Sequence, residues 1–382
     1  MRTFSGSMVC LLVLAGVVGM GTGLAVARAL EESSSDRREA MTGLSAPRGL
    51  TSLDGGGLLI AEVLGGRLLR MSPDGDVTVV QEGLPATYGG PGGSYPIGIS
   101  SAILVGTNIY YVVGEFRGSR YSTLYRLENG QTPEALAGGV GPDGFPSTPL
   151  TNPYDLVPAP HGGVLVSDSG LNAVLHITEE GDISEYATFP ERRLEDGLQP
   201  LDVVPTGLAF GHDGALYLAS FTGYPYPQDA AYVYRLEDTN NDGDAIDTGE
   251  STVFAGGFSV ATDLAFEEDG ALLVTEFSTD MGTLVEDFGI PRAGEIPGRL
   301  LRLRDGEMEV VAEGLVSPTS VATGGSRIFV SEEFAGVVTE IGPTGGKRNL
   351  GRMLGGASGL AAAFAVWTGL RRAGGRRNNR NL

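Results

Sequence analysis

The chain has 382 residues, 60 of them glycine, with 41% hydrophobic and 19% charged residues, which supports a packed core and excludes wholesale disorder. Residues 28–346 hold 17 basic against 47 acidic residues, a net charge of −30 that excludes nucleic acid as a partner and suits cations. The only cysteine, Cys10, leaves no material for a disulfide framework.

In chain order, residues 1–27 read as a secretory signal peptide: Arg2, an apolar run over 8–20, and the cleavage pattern Ala25-Val26-Ala27. The protein is therefore expected to be secreted, periplasmic or on the cell surface. A linker over 28–37 follows. Residues 38–346 then repeat one unit six times. A first strand begins at APRGL, YPIGI, NPYDL, VPTGL, VATDL and SPTSV, with landmarks Gly49, Gly98, Asp155, Gly207, Asp263 and Ser320 spaced 49, 57, 52, 56 and 57 residues apart. A second strand ends at Glu62, Glu115, Asp168, Ser220, Glu276 and Glu332, offset from the landmarks by 13, 17, 13, 13, 13 and 12. Third strands (RLLRM, TLYRL, AVLHI, YVYRL, RLLRL, VVTEI) and fourth strands such as STVFAGGF follow, with hairpin signals at Asp213-Gly214, Asp269-Gly270 and Asp305-Gly306. Four strands in about fifty residues make a propeller blade. The fold class is thus all-β, a six-bladed β-propeller of four-stranded antiparallel blades. The sixth unit lacks a fourth strand. Residues 38–44 (REAMTGL) are expected to supply it and latch the ring, with 346–353 as the competing segment.

Within the fourth unit, Asp238, Asn240, Asp242, Asp244, Asp247 and Glu250 place oxygen ligands around Gly243 in a hairpin insert. Such a loop suits Ca²⁺, which takes oxygen donors, in a structural role. The other reading is an acidic turn held by its own Asx hydrogen bonds. The tail over 347–382 has 8 basic residues, no acid, and an apolar segment at 354–370. It is expected to attach to a membrane or to act as a sorting signal.

From Thr151 onward the chain resembles the ScyD/ScyE family of exported propellers, named for genes associated with the pigment scytonemin. The stretches carrying the likeness are TNPYDLVPAPHGGVLVSDSGLNAVLHI, VPTGLAFGHDGALYLASFTGYPYPQDAAYVYRL and FAGGFSVATDLAFEEDGALLVTEF. The resemblance covers roughly residues 46–340 and is looser in the first two units. It implies a propeller, export and non-enzymatic service, and carries over no catalytic residue.

Two constellations remain. Glu62, Glu115, Asp168, Glu276 and Glu332, with Asp155 and Asp263, are expected around one mouth of the central channel, to bind a metal or a cationic ligand. Alternatively they pair with Arg70, Arg126, Arg235 and Arg302, which recur in the third strands. Tyr154, Phe221, Tyr224 and Tyr226 form a candidate recognition surface. His161 and His212 fall in turns, and no nucleophile elbow, phosphate loop or zinc motif appears. The leading expectation is a binding or scaffold propeller for a small molecule, cation or protein. The alternative is a metal-dependent hydrolase or lactonase of the gluconolactonase-like type, against which Arg48 stands where the first unit would need a carboxylate.

Overall fold

The computed structural model describes residues 37–342, apart from 90–92, 116–119, 129–130, 140–149 and 193–199. The expected signal peptide, the basic tail and the alternative latch 346–353 lie outside the described residues. The chain is a six-bladed β-propeller. Its first blade orders strands 47–53, 57–62, 67–71 and 77–82 from axis to rim, and the third, fourth and fifth blades repeat that antiparallel meander.

Closure follows the expected route. Strand Arg37–Met41 joins Val337–Ile341 antiparallel, Arg37 opposite Ile341 and Glu39 opposite Thr339, and becomes the outer strand of the sixth blade. Arg37 belongs to this strand rather than to the linker.

Alternating strands bury one apolar face on each neighbouring blade, so the core is six wedges rather than one centre. Ile103, Leu124, Val164 and Leu175 pack between the second and third blades, for example, and Leu58, Ile60, Ala322 and Phe329 between the first and sixth. Each such buried Leu, Ile, Val or Phe side chain contributes about 1.5–3 kcal/mol. The turns behave as their sequences require: Asp305 and Gly306 both take left-handed φ, 52° and 78°, in a two-residue hairpin.

Two insertions depart from the plain repeat. Strand Ala86–Gly89 pairs with the start of the long strand Tyr95–Val105, adding a hairpin to the second blade. In the fifth blade, residues 277–297 form short helical turns between strands 272–276 and 298–304, with Asp280 accepting the Thr283 amide at 3.1 Å.

The added hairpin corrects the register read from the sequence. Ile99 faces Val113 and Ser101 faces Val112, as Pro47 faces Glu62 and Asp155 faces Ser167. The landmark of the second blade is therefore Ser101, not Gly98, and the end of its second strand is Val113, not Glu115.

Candidate functional site

With that register, two rings of inner-strand residues surround the axis. The first runs Arg48, Ser100, Tyr154, Thr206, Thr262 and Thr319. Its hydroxyls stitch each blade to the next: Ser100 donates to Pro153 O (3.1 Å), Thr206 to Ala261 O (3.0 Å), Thr262 to Pro318 O (2.9 Å) and Thr319 to Pro47 O (3.4 Å). Arg48 and Tyr154 break the series.

The second ring runs Gly49, Ser101, Asp155, Gly207, Asp263 and Ser320. Asp155 accepts the Leu208 amide of the next blade at 2.8 Å and a hydrogen bond from Ser101. Asp263 accepts Val321 N at 3.0 Å and Ser320 Oγ at 2.5 Å, and Ser320 Oγ accepts Leu50 N at 3.0 Å. Glycine at 207 is required because a Cβ there would fall 2.5 Å from Asp263 Cα. Burial raises both aspartates above the ordinary carboxylate range, Asp263 strongly, and the charge of Asp155 adds to the rise at Asp263. Asp263 is buried, while Asp155 keeps a partial opening to solvent.

The strand-end acids do something other than ring the mouth. Each folds back to hold the turn that leads into its own blade. Glu62 accepts Ser45 N (2.8 Å), Glu276 accepts Ser259 N (2.8 Å) and Glu332 accepts Val316 N (2.7 Å). Asp168 accepts the amides of Thr151, Asn152, Gly170 and Leu171 at 2.7–3.1 Å. All four are buried, whereas Glu115 is exposed outside the pattern. Their cationic partners also differ from those expected. Glu62 pairs with Arg67 and Glu276 with Arg299, at the starts of the third strands. Arg126 binds Glu134, Arg235 binds Asp213 and Glu237, and Arg302 binds Glu267 and Glu309, nearer the opposite ends of the blades.

At the axis one residue from each blade converges, three from the rings and three from beyond them: Arg48, Tyr95, Tyr154, Tyr226, Asp263 and Glu333 form a set linked pair by pair through electrostatic contacts. Only the pseudo-axis can bring six blades together in this way. Arg48 Nε and Nη2 both donate to Glu333 Oε1, at 2.9 and 2.5 Å, and Nη2 also donates to Pro96 O at 2.9 Å. The guanidinium lies 5.2 Å from the centre of the Tyr95 ring. Burial pushes the Glu333 carboxyl up, and Arg48 pulls it back only in part. Burial also raises the Tyr95 and Tyr154 hydroxyls, so both stay protonated at neutral pH. Three groups lack a hydrogen-bond partner among the described residues: the buried Oε2 of Glu333 and the hydroxyls of the half-buried Tyr95 and Tyr154.

The aromatic residues singled out from sequence divide between this mouth and its rim. Phe221 and Tyr226 meet edge to face at 5.9 Å, Phe221 and Phe277 at 6.0 Å, and Phe277 and Phe334 at 6.4 Å. The fifth-blade insertion packs under these rings through Met281, Leu284 and Ala293. Tyr224 stands 66% exposed at the edge. Tyr95 and Glu333 were not legible as site residues: the register slip hid the first, and Glu332, which fills the repeated place, hid the second.

The hairpin insert 238–250 satisfies its own oxygens. Asp238 accepts Asp242 N and Gly243 N, Asp242 accepts Asp244 N, and Asp244 accepts Ile246 N, at 2.9–3.3 Å. Asn240 Nδ2 donates to Asp242 and Asp247, and Glu250 accepts Thr239 N, Thr239 Oγ1 and Asp247 N. Among the described residues no three His, Cys, Asp or Glu side chains converge as a metal-holding group. Beside this insert, a cavity of 270 Å³ between the third and fourth blades is lined by His161, His176, Tyr186, Asp213 and Asp238.

Comparison with known proteins shows the fold. A family model described as a domain of unknown function, DUF7133, matches residues 199–283, which span the fourth blade and the start of the fifth. No curated protein matches the chain. Among solved structures, it is similar to a gluconolactonase from Xanthomonas campestris (14% identity, TM-score 0.54, 82% of this chain and 92% of that one). It is also similar to a PQQ-bound aldose sugar dehydrogenase from Streptomyces coelicolor (16%, 0.50, 80% and 96%) and to virginiamycin B lyase from Staphylococcus aureus (13%, 0.50, 81% and 99%).

A channel metal of the kind a gluconolactonase-like propeller would use does not fit the residues at the axis. Both oxygens of Asp263 already accept amides or a hydroxyl, Oδ1 from Leu264 N and Oδ2 from Val321 N and Ser320. In the first blade the place of Asp263 is taken by Gly49, and the residue before it, Arg48, brings a buried guanidinium that repels a divalent cation.

Proposed function

We propose that the protein is an extracytoplasmic binding propeller that takes a small molecule at the channel mouth bounded by Arg48, Tyr95, Tyr154 and Glu333. One observation carries this reading. Four of six blades use the inner-strand hydroxyl to stitch the ring, and the two that do not, with Arg48 and Tyr154, turn it over to the mouth. A repeated position serves the architecture, and a departure from it needs another reason. The unengaged tyrosine hydroxyls and the aromatic rim supply one: a few polar groups in an otherwise apolar concavity are what orients a small ligand. Export rests on the N-terminal sequence, and attachment or sorting on the basic tail. The ScyD/ScyE resemblance supports the same non-catalytic reading.

The test is ligand-observed NMR of the full chain with a mixed set of neutral, cationic and anionic aromatic fragments. Fragments that bind should lose at least about tenfold in affinity, roughly 1.4 kcal/mol, in a Tyr95→Phe/Tyr154→Phe variant. Fragments bound equally by both proteins would place the site elsewhere.

A structural Ca²⁺ in the 238–250 insert is a second proposal. Six oxygen-bearing side chains within 13 residues suit a cation that takes six to eight oxygens. Binding would exchange the loop's Asx hydrogen bonds for metal bonds, and calorimetric titration with Ca²⁺ tests it.

A further inference from the structure

We infer that the mouth selects a small organic cation, an ammonium group seated against Glu333 with an apolar or aromatic body against the rim. This inference rests on the binding reading above and names its ligand class. It starts from the geometry of one ion pair. A carboxylate and a guanidinium that meet only to hold a fold together favour two parallel hydrogen bonds, one to each oxygen. Here Arg48 gives both Nε and Nη2 to the same oxygen, Oε1, and Nη2 also serves Pro96 O. Oε2 is left buried with no donor, and the Glu333 side chain is itself fully buried. A buried acceptor without a partner keeps an uncompensated desolvation penalty, larger when it is charged. A ligand that brings a donor recovers that cost on binding.

The surroundings choose the kind of donor. Arg48 balances the charge of Glu333. Beneath them lie two further carboxyl groups, Asp155 and Asp263, whose hydrogen bonds come from backbone amides and from Ser101 and Ser320. The chain carries a formal net charge of −21, which draws cations toward any opening and turns anions away. The rings of Phe221, Tyr226, Phe277 and Phe334 form a continuous edge-to-face series, and Phe334 directly follows Glu333 in the chain. Aromatic faces attract cations, as the Arg48–Tyr95 contact already illustrates. A charged donor therefore gains twice, at the orphan oxygen and at the rings. A neutral hydroxyl gains only at the oxygen, and a carboxylate at neither.

Three probes of one shape separate these cases: phenethylamine, 2-phenylethanol and phenylacetate, titrated calorimetrically into the full chain. Phenethylamine should bind at least about tenfold more tightly than the other two, and Glu333→Gln should remove that advantage. The comparison among probes on the native protein needs no variant, so it stands even if Glu333→Gln fails to fold. If 2-phenylethanol binds as well as the amine and both weaken in Tyr95→Phe/Tyr154→Phe, the mouth remains the site and the cation assignment falls. Preference for phenylacetate would assign selection to Arg48 and overturn the proposal. An amine bound equally by Glu333→Gln overturns the seat at Oε2. Binding by none of the probes overturns the cation assignment, while the fragment experiment on the mouth is read independently.

Discussion

Asp263 shows how one side chain serves its neighbours while carrying a disfavoured charge. Its carboxyl binds the first strand of the next blade through Val321 N and Ser320 Oγ, yet burial and Asp155 hold it well above the ordinary carboxylate range. An acid raised in the folded state binds its proton more tightly there than in the unfolded chain. Its contribution is therefore complete below the unfolded value, about pH 4, and is lost as pH rises toward the raised folded value. The thermal midpoint of the native protein should fall across that window. Asp263→Asn, which keeps an acceptor and removes the charge, should flatten the profile and be neutral or stabilising at the alkaline end. Melting curves over a pH series check this, and an unchanged slope in the variant would remove Asp263 as its source. At this scale sequence was a partial guide. Asp155 and Asp263 stood out because they replace glycine in the repeat, and Arg48 because it stands where a carboxylate belongs. Glu333 did not, since nothing distinguishes a second glutamate beside a periodic one until its oxygen is seen to lack a donor.

Strands were easier to read than their joins. Alternation and turn residues set nearly every strand, because a half-buried pleat demands period two and a tight hairpin demands positive φ. The second blade was the exception: YPIGI imitates the start of an inner strand, but its first residues pair with Ala86–Gly89 and the inner ladder starts three residues later. The fifth-blade insertion was also illegible, being too short and irregular for a helical pattern. The 238–250 insert was visible as chemistry, and its element-scale prediction is direct. If Ca²⁺ binds there, Asp242→Ala should abolish the calorimetric signal, and an Asp155→Ala/Asp263→Ala variant should leave it intact. The reverse result would move the metal to the axis.

For the whole molecule, the ring is only as strong as its last pairing. Strand Arg37–Met41 contributes four ladder partners, and Ala40 and Met41 pack on the wedge between the sixth and first blades. Removing residues 37–41 should cost on the order of 4 kcal/mol in lost ladder pairing alone, at about 1 kcal/mol each, and should uncover the edge of Val337–Ile341. A lowered melting midpoint together with concentration-dependent association on a sizing column is the expected outcome. An unchanged midpoint would mean that the wedges alone hold the ring.

That pairing also sets the two ends of the folded ring side by side, Arg37 opposite Ile341. Bringing together residues some three hundred positions apart costs chain entropy on the order of 5 kcal/mol, and a short covalent bridge between them would avoid it. The propeller therefore has no natural starting blade. A circular permutant joined at 342 and 37 and opened in an exposed turn between any two strands would present the same axis, the same wedges and the same mouth.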